Sequence, residues 1–172
     1  MSRMGLVAYT QVLGFIKRTP ATHLAIAKEF GRGVQKIREL MFRMCHLNLA
    51  HVCDWQERQS HQGMKIPVFA YGPGESVPYP VKPRSVSQQR RPRRGDVSPE
   101  LIGLAVVFDI LKDGETCGAL HESTKIGRGN LAPLLAEMKK QGLARVVSWE
   151  KAESGLGPFI AVVGLGQGPD AK

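Results

Sequence analysis

The chain has 172 residues, 42% of them hydrophobic, and a formal net charge of +9. That apolar fraction supports a packed core and excludes a wholly disordered chain. No apolar run reaches 18 residues and no apolar leader opens the chain, which argues against a membrane span and leads to the expectation of a cytoplasmic, nucleoid-associated protein. Three cysteines, Cys45, Cys53 and Cys117, lack C-x-x-C spacing and read as reduced thiols. The excess positive charge points to a polyanionic partner.

Leu6, Val12, Leu13 and Ile16 fall near helical spacing, so a first helix is predicted over about Gly5 to Arg18, ended by Thr19-Pro20. A second is predicted over about Ala21 to Phe30, with Thr22 as N-cap and Leu24, Ala27 and Phe30 inside. Gly31-Arg32-Gly33 makes a turn. A third helix then runs from about Val34 to Met44 or a little beyond, with Ile37, Leu40, Met41 and Met44 facing inward. Leu49 to Trp55 reads as a strand, Gln56 to Lys65 as a polar loop, and Ile66 to Gly72 as a second strand. Glu75 to Ser98 reads as a linker, because Pro78, Pro80, Pro83 and Pro92 exclude regular structure.

The chain then says the same thing again. Thr22 to Trp55, written against Thr116 to Trp149 at a constant offset of 94, pairs Ala25 with Ala119, Gly33 with Gly127, Leu40 with Leu134, Met44 with Met138 and Trp55 with Trp149. Two copies of one small domain are expected, over 1–75 and 98–172, joined by 76–97. Ser98 and Pro99 start the second copy's first helix as N-cap and first helical residue, with Leu101, Leu104, Ala105, Phe108 and Leu111 inside. Thr116 to about Lys125 is its second helix. Pro133 would lie deep in a helix begun at Arg128, so the third is expected to start near Leu131 with Asn130 as N-cap. Leu143 to Trp149 and Pro158 to Val163 are its strands, with a shorter loop over Glu150 to Leu156 and a frayed tail over Gly164 to Lys172.

Charge is unevenly shared. Residues 1–75 carry 10 Lys/Arg against 5 Asp/Glu, 76–97 carry 6 against 1, and 98–172 carry 8 against 9. The basic character therefore belongs to the first copy and the connector.

Two short helices joined by a glycine turn, followed by strand, loop and strand, resemble the winged helix-turn-helix superfamily of DNA-binding domains. The phrase Pro67-Val68-Phe69-Ala70-Tyr71-Gly72-Pro73-Gly74 is similar to the wing ending of small phage and prophage regulators. The resemblance covers 1–75 and, less fully, 98–168. It implies an α+β fold of two tandem winged helices, each of three helices and a β-hairpin wing. It also implies a double-stranded DNA partner, met by the third helix in the major groove. With the core stripe inside, that helix turns Gln35, Lys36, Arg38, Glu39 and Arg43 outward. Arg38 suits a bidentate contact to guanine and Gln35 one to adenine, while Lys36 and Arg43 suit phosphates. Arg32 lies in the turn, and Arg58 and Lys65 lie in the wing loop. Arg90, Arg91, Arg93 and Arg94 form a basic arm suited to phosphates or a minor groove. Taken singly each is an ordinary solvated charge; as a set on one face they favour binding.

The matching face of the second copy offers Gly129, Asn130, Ala132, Pro133 and Glu137, leaving Arg128 and Asn130, and beside them Lys125, Lys139 and Arg145, as its candidates for DNA contact. That copy is expected to dimerise, dock a protein partner or add phosphate contacts. No phosphate-binding loop, H-E-x-x-H or G-x-S-x-G motif occurs, so no enzyme and no cofactor are expected. Cys45, His46, His51 and Cys53 do not converge as a zinc site would, so no metal is expected, and His23 and His121 read as solvent or phosphate neighbours. The expected function is that of a transcriptional regulator of a phage or other mobile element. A protein adaptor or inhibitor on the same scaffold, or a replication-initiator type of DNA binder, is the alternative.

Overall fold

The computed structural model describes residues 5–57, 65–80, 98–151 and 159–171. In chain order these form α1 (Leu6–Arg18), β1 (Ala21–Thr22), α2 (His23–Glu29), α3 (Val34–His46), β2 (Ala50–Glu57), β3 (Lys65–Tyr71), α4 (Pro99–Ile110), β4 (Glu115–Thr116), α5 (Cys117–Thr124), α6 (Arg128–Lys140), β5 (Ala144–Glu150) and β6 (Ile160–Leu165). The architecture is mixed α+β, with two three-stranded antiparallel sheets in the orders β1-β3-β2 and β4-β6-β5. The chain divides into two compact units, Phe15–Ser98 and Met1–Gly14 with Pro99–Lys172. The division passes inside α1 as well as at Ser98.

In the first unit the predicted stripe of α3 is the observed core: Ile37, Met41 and Met44 are fully buried and Leu40 nearly so. Ile26 and Ala27 of α2 and Phe69 of β3 meet them in that core. Thr22 caps α2, its hydroxyl accepting from Ala25 N at 3.3 Å. The helix begins later than predicted because Ala21 and Thr22 pair with Phe69 and Val68 as a short third strand. At the other end of α2, Gly31 takes φ +58, and Arg32 N reaches back to Ala27 O at 2.9 Å. This left-handed glycine turn closes the helix and aims the chain into α3.

The offset of 94 holds in three dimensions. Ala21↔Phe69 recurs as Glu115↔Val163, Ala50↔Tyr71 recurs as Ala144↔Leu165, and the irregularity between Val52 and Asp54 recurs between Val146 and Ser148. Thr116 caps α5 through Ala119 N, as Thr22 caps α2. Leu131, Leu134, Leu135 and Met138 of α6 repeat the buried stripe of α3.

Four expectations are corrected. First, α6 starts at Arg128, the position matching Val34, with Pro133 inside it. Asn130 is consequently a first-turn residue and not the N-cap, which is Gly127. Burial of the stripe fixes the start, and the carbonyl that Pro133 leaves without a donor belongs to exposed Gly129, where water can serve it. Second, the β5–β6 connection is not the shorter one: it runs over 151–159, against 58–64 between β2 and β3.

Third, the described residues after β6, 166–171, are not frayed. Val146 N donates to Asp170 Oδ1 at 2.7 Å, Ala171 N donates to Val146 O at 2.9 Å, and Trp149 Nε1 donates to Ala171 O at 3.0 Å. Fourth, the start of the expected linker is likewise docked. Val52 N donates to Ser76 Oγ at 3.1 Å, Val77 N to Val52 O at 2.9 Å, and Trp55 Nε1 to Val77 O at 2.9 Å. In each copy the chain thus returns as a strap to the place where the strand irregularity leaves backbone groups without cross-strand partners.

Candidate nucleic-acid interface

The core stripe of α3 leaves its opposite face outward. Gln35, Lys36, Arg38 and Glu39 are all exposed there, as expected, and Arg43 is half-buried at the edge. Arg32 is exposed in the turn before the helix. Two exposed residues on the same face were not singled out from the sequence: Val34, 45% exposed, and Phe42, 38% exposed. Val34, Arg38 and Phe42 stand one turn apart, so they line up as a single stripe. The four-residue spacing was the available signal, overlooked because apolar residues beside a core stripe are readily taken as core.

The side chains on this face are partly organised by one another. Gln35 Nε2 donates to Glu39 Oε1 at 2.9 Å, so Gln35 must leave that bond to offer adenine both its amide groups. The Arg38 guanidinium lies over the Phe42 ring at 5.9 Å from its centroid. Phe42 in turn stands edge-on to buried Phe69 at 5.6 Å. Arg38 therefore sits on a stacked support that reaches into the core.

The start of α3 also suits an anion. Its N-cap is Gly33, with no side-chain cap, and its first turn holds no acidic residue. The first-turn N–H groups and the positive end of the helix dipole thus face outward without a competing carboxylate.

The matching surface of α6 differs. Arg128, Asn130, Ala132 and Pro133 are exposed, and Ala132 and Ala136 replace Arg38 and Phe42. Glu137, in the place of Arg43, accepts from Gln141 Nε2 at 2.8 Å.

Other candidate residues are scattered. Lys65 lies at the first position of β3, paired with Glu57 and half-buried, instead of in the loop. Arg58 and the arginines Arg90, Arg91, Arg93 and Arg94 lie outside the described residues. His23, the first residue of α2, is buried at 9% exposure, contrary to its expected place at the surface. His121 is half-buried, with Nδ1 2.7 Å from Ile126 O.

The cysteine and histidine cluster is dispersed. His51 Nδ1 lies 3.0 Å from Gly72 O and Cys53 Sγ 3.5 Å from Val68 O. Burial pushes the Cys45 thiol up to about 12, against a smaller opposing effect of a backbone hydrogen bond. Among the described residues no three His, Cys, Asp or Glu side chains are grouped to hold a metal, and no helix is long and apolar enough to cross a membrane.

Comparison with family models, with curated proteins and with solved structures returns no match for this chain.

Proposed function

We propose that the chain is a DNA-binding protein, a transcriptional regulator of a phage or other mobile element, built from two tandem winged helix-turn-helix copies. The first copy, residues 1–75, reads the major groove with α3. Phosphates are met by the uncapped start of that helix, by Arg32, Lys36 and Arg43, by the wing residues Arg58 and Lys65, and by the Arg-rich segment within 76–97. The second copy, 98–172, contributes a partner or dimer contact, with Arg128 and Asn130 as auxiliary phosphate contacts.

The observation that carries this reading is the contrast between two faces built on one frame. Where α3 presents Arg38 and Phe42 outward, α6 presents Ala132 and Ala136. A purely structural demand would act on both faces alike, so the polar and cationic groups on α3 are best explained by a ligand. Order of elements, the glycine turn and the antiparallel hairpin support the winged-helix reading. The mobile-element attribution rests on the wing phrase from Pro67 to Gly74.

A protein-binding role for the second copy is favoured by its exposed apolar side chains, with Trp149 46%, Phe159 58% and Ile160 42% exposed. Selection of bound fragments from a random duplex pool with the full chain tests the main reading. A recurrent motif supports it, and an unenriched pool contradicts it.

A further inference from the structure

A cavity of about 260 Å³ opens where α6 ends, β5 begins and the strap follows β6, lined among others by Lys139, Gly142, Arg145, Gly166, Gly168 and Asp170. All of them lie in the second compact unit. Gly142, Gly166 and Gly168 take φ of +64, +130 and +135, conformations that side chains resist, so bare backbone borders the space. A Cβ at Gly168 would stand 3.0 Å from Arg145 Nη1 and one at Gly166 3.9 Å from Nε, which places the guanidinium beside this glycine wall.

The charges in the cavity are unequally matched. Lys139 Nζ pairs with Asp170 Oδ2 at 2.6 Å, and the other carboxylate oxygen accepts from Val146 N. Both oxygens of Asp170 are thus committed, and Lys139 is neutralised. Arg145 Nε is shut off from solvent and has no hydrogen-bond partner among the described residues. A guanidinium with a stranded buried donor loses little by turning toward an acceptor that enters the cavity.

The first copy holds the same frame without these charges. At the offset of 94, Lys139, Arg145 and Asp170 correspond to Cys45, His51 and Ser76, and Gly166 and Gly168 to Gly72 and Gly74. There His51 Nδ1 is satisfied by Gly72 O at 3.0 Å, its ring lies where a Gly74 Cβ would come within 2.8 Å, and Ser76 Oγ accepts from Val52 N. The strap therefore needs neither an arginine nor a lysine to dock.

We propose that this cavity binds a phosphoryl group, held by the Arg145 fork with the remaining donors of Lys139 and bordered by the glycine wall. A planar guanidinium offers paired N–H donors that match two oxygens of one phosphate, and the single uncompensated positive charge selects an anion. The group can belong to a free phosphate compound or to a nucleic-acid backbone; the chemistry of recognition is the same.

The test is an NMR titration of the full chain, at constant ionic strength, with inorganic phosphate, with adenosine monophosphate and with a short duplex, using sodium chloride as control. Saturable shifts are expected at the Gly166 and Gly168 amides and at the Arg145 Nε–H, weakened at least about tenfold in Arg145→Gln, at the order of one good charge-assisted contact. Arg145→His, the first copy's residue, keeps the strap docked and is expected to abolish the same shifts. Saturation by the small anions identifies a free ligand. Saturation by duplex alone, lost in Arg145→His, identifies a backbone phosphate. Absence of saturable shifts with all three, or shifts that chloride reproduces, overturns the proposal whatever the DNA-reading copy proves to be.

Discussion

The ring of Tyr79 stands edge-on to Trp55, 4.8 Å between centroids at 89°. Trp55 also donates to Val77 O in the same strap, and the Tyr79 hydroxyl accepts from Lys65 N at 3.3 Å. The strap is thus an integral layer over β2 and β3. Tyr79→Ala is expected to destabilise the first unit by about 0.5–1.5 kcal/mol for the aromatic pair, with the loss of packing area added to it. Fluorescence quenching by acrylamide in a Trp149→Phe background checks this: Trp55 becomes more accessible in the variant. Unchanged quenching and melting would show that the strap contributes nothing.

Asp170 does for the second strap what Ser76 does for the first, but with a charge. Its carboxyl is held below the ordinary value, first by the hydrogen bond from Lys139 and then by that from Val146 N, with the positive charge of Lys139 the smallest contribution. A carboxylate with a lowered folded pKa stabilises the folded state above its unfolded value, and that contribution is lost as pH falls through the folded value. Trp149, hydrogen-bonded to Ala171, is expected to report strap release by fluorescence as pH falls below the usual aspartate range. Asp170→Asn should remove that acid step while leaving the strap weaker at neutral pH. The same step in the variant would contradict the assignment.

Pro133 lies at the sixth position of α6 and interrupts its hydrogen bonding. Pro133→Ala is expected to raise stability by roughly 1–3 kcal/mol, because it restores a donor toward the Gly129 carbonyl and removes the ring from the preceding turn. Thermal melting checks this. A neutral or lowered melting temperature would contradict it.

Much of this frame is legible in the sequence. Ile37, Leu40, Met41 and Met44 repeat as Leu131, Leu134, Leu135 and Met138, and a buried helical stripe needs only spacing to be read. Thr22 is legible as a cap because the signal is local. The straps are not. Ser76, Val77 and Tyr79 sit among prolines and carry no periodicity, and their partners Val52 and Trp55 lie more than 20 residues away. Pro133 misleads because local propensity argues for a later start, while burial of the whole stripe decides the earlier one. The Arg145 cavity is invisible until the fold brings the end of α6, β5 and the strap together.

Val34 at the start of α3 is exposed and apolar on the face that also carries Arg38. In the proposed complex it contacts a thymine methyl, the apolar feature of the major groove. Replacing thymine by uracil at the matching position of a selected site should weaken binding by about 0.8 kcal/mol, the value of one buried methyl-sized group. Val34→Ala should abolish the difference between the two bases. Equal binding of both sites by the unaltered chain would remove Val34 from the reading face.

The central claim, that α3 reads base sequence, is tested most directly by the affinity of Arg38→Ala for a selected site and for random duplex across a range of salt. Arg38 is held outward over Phe42, and two guanidinium donors on guanine discriminate by about 1–3 kcal/mol. The account predicts that loss on the selected site, with random-duplex affinity and melting temperature nearly unchanged. Proportional loss on both duplexes would show Arg38 to be a phosphate contact only. Full affinity for the selected site in the variant would contradict the claim that this face reads DNA.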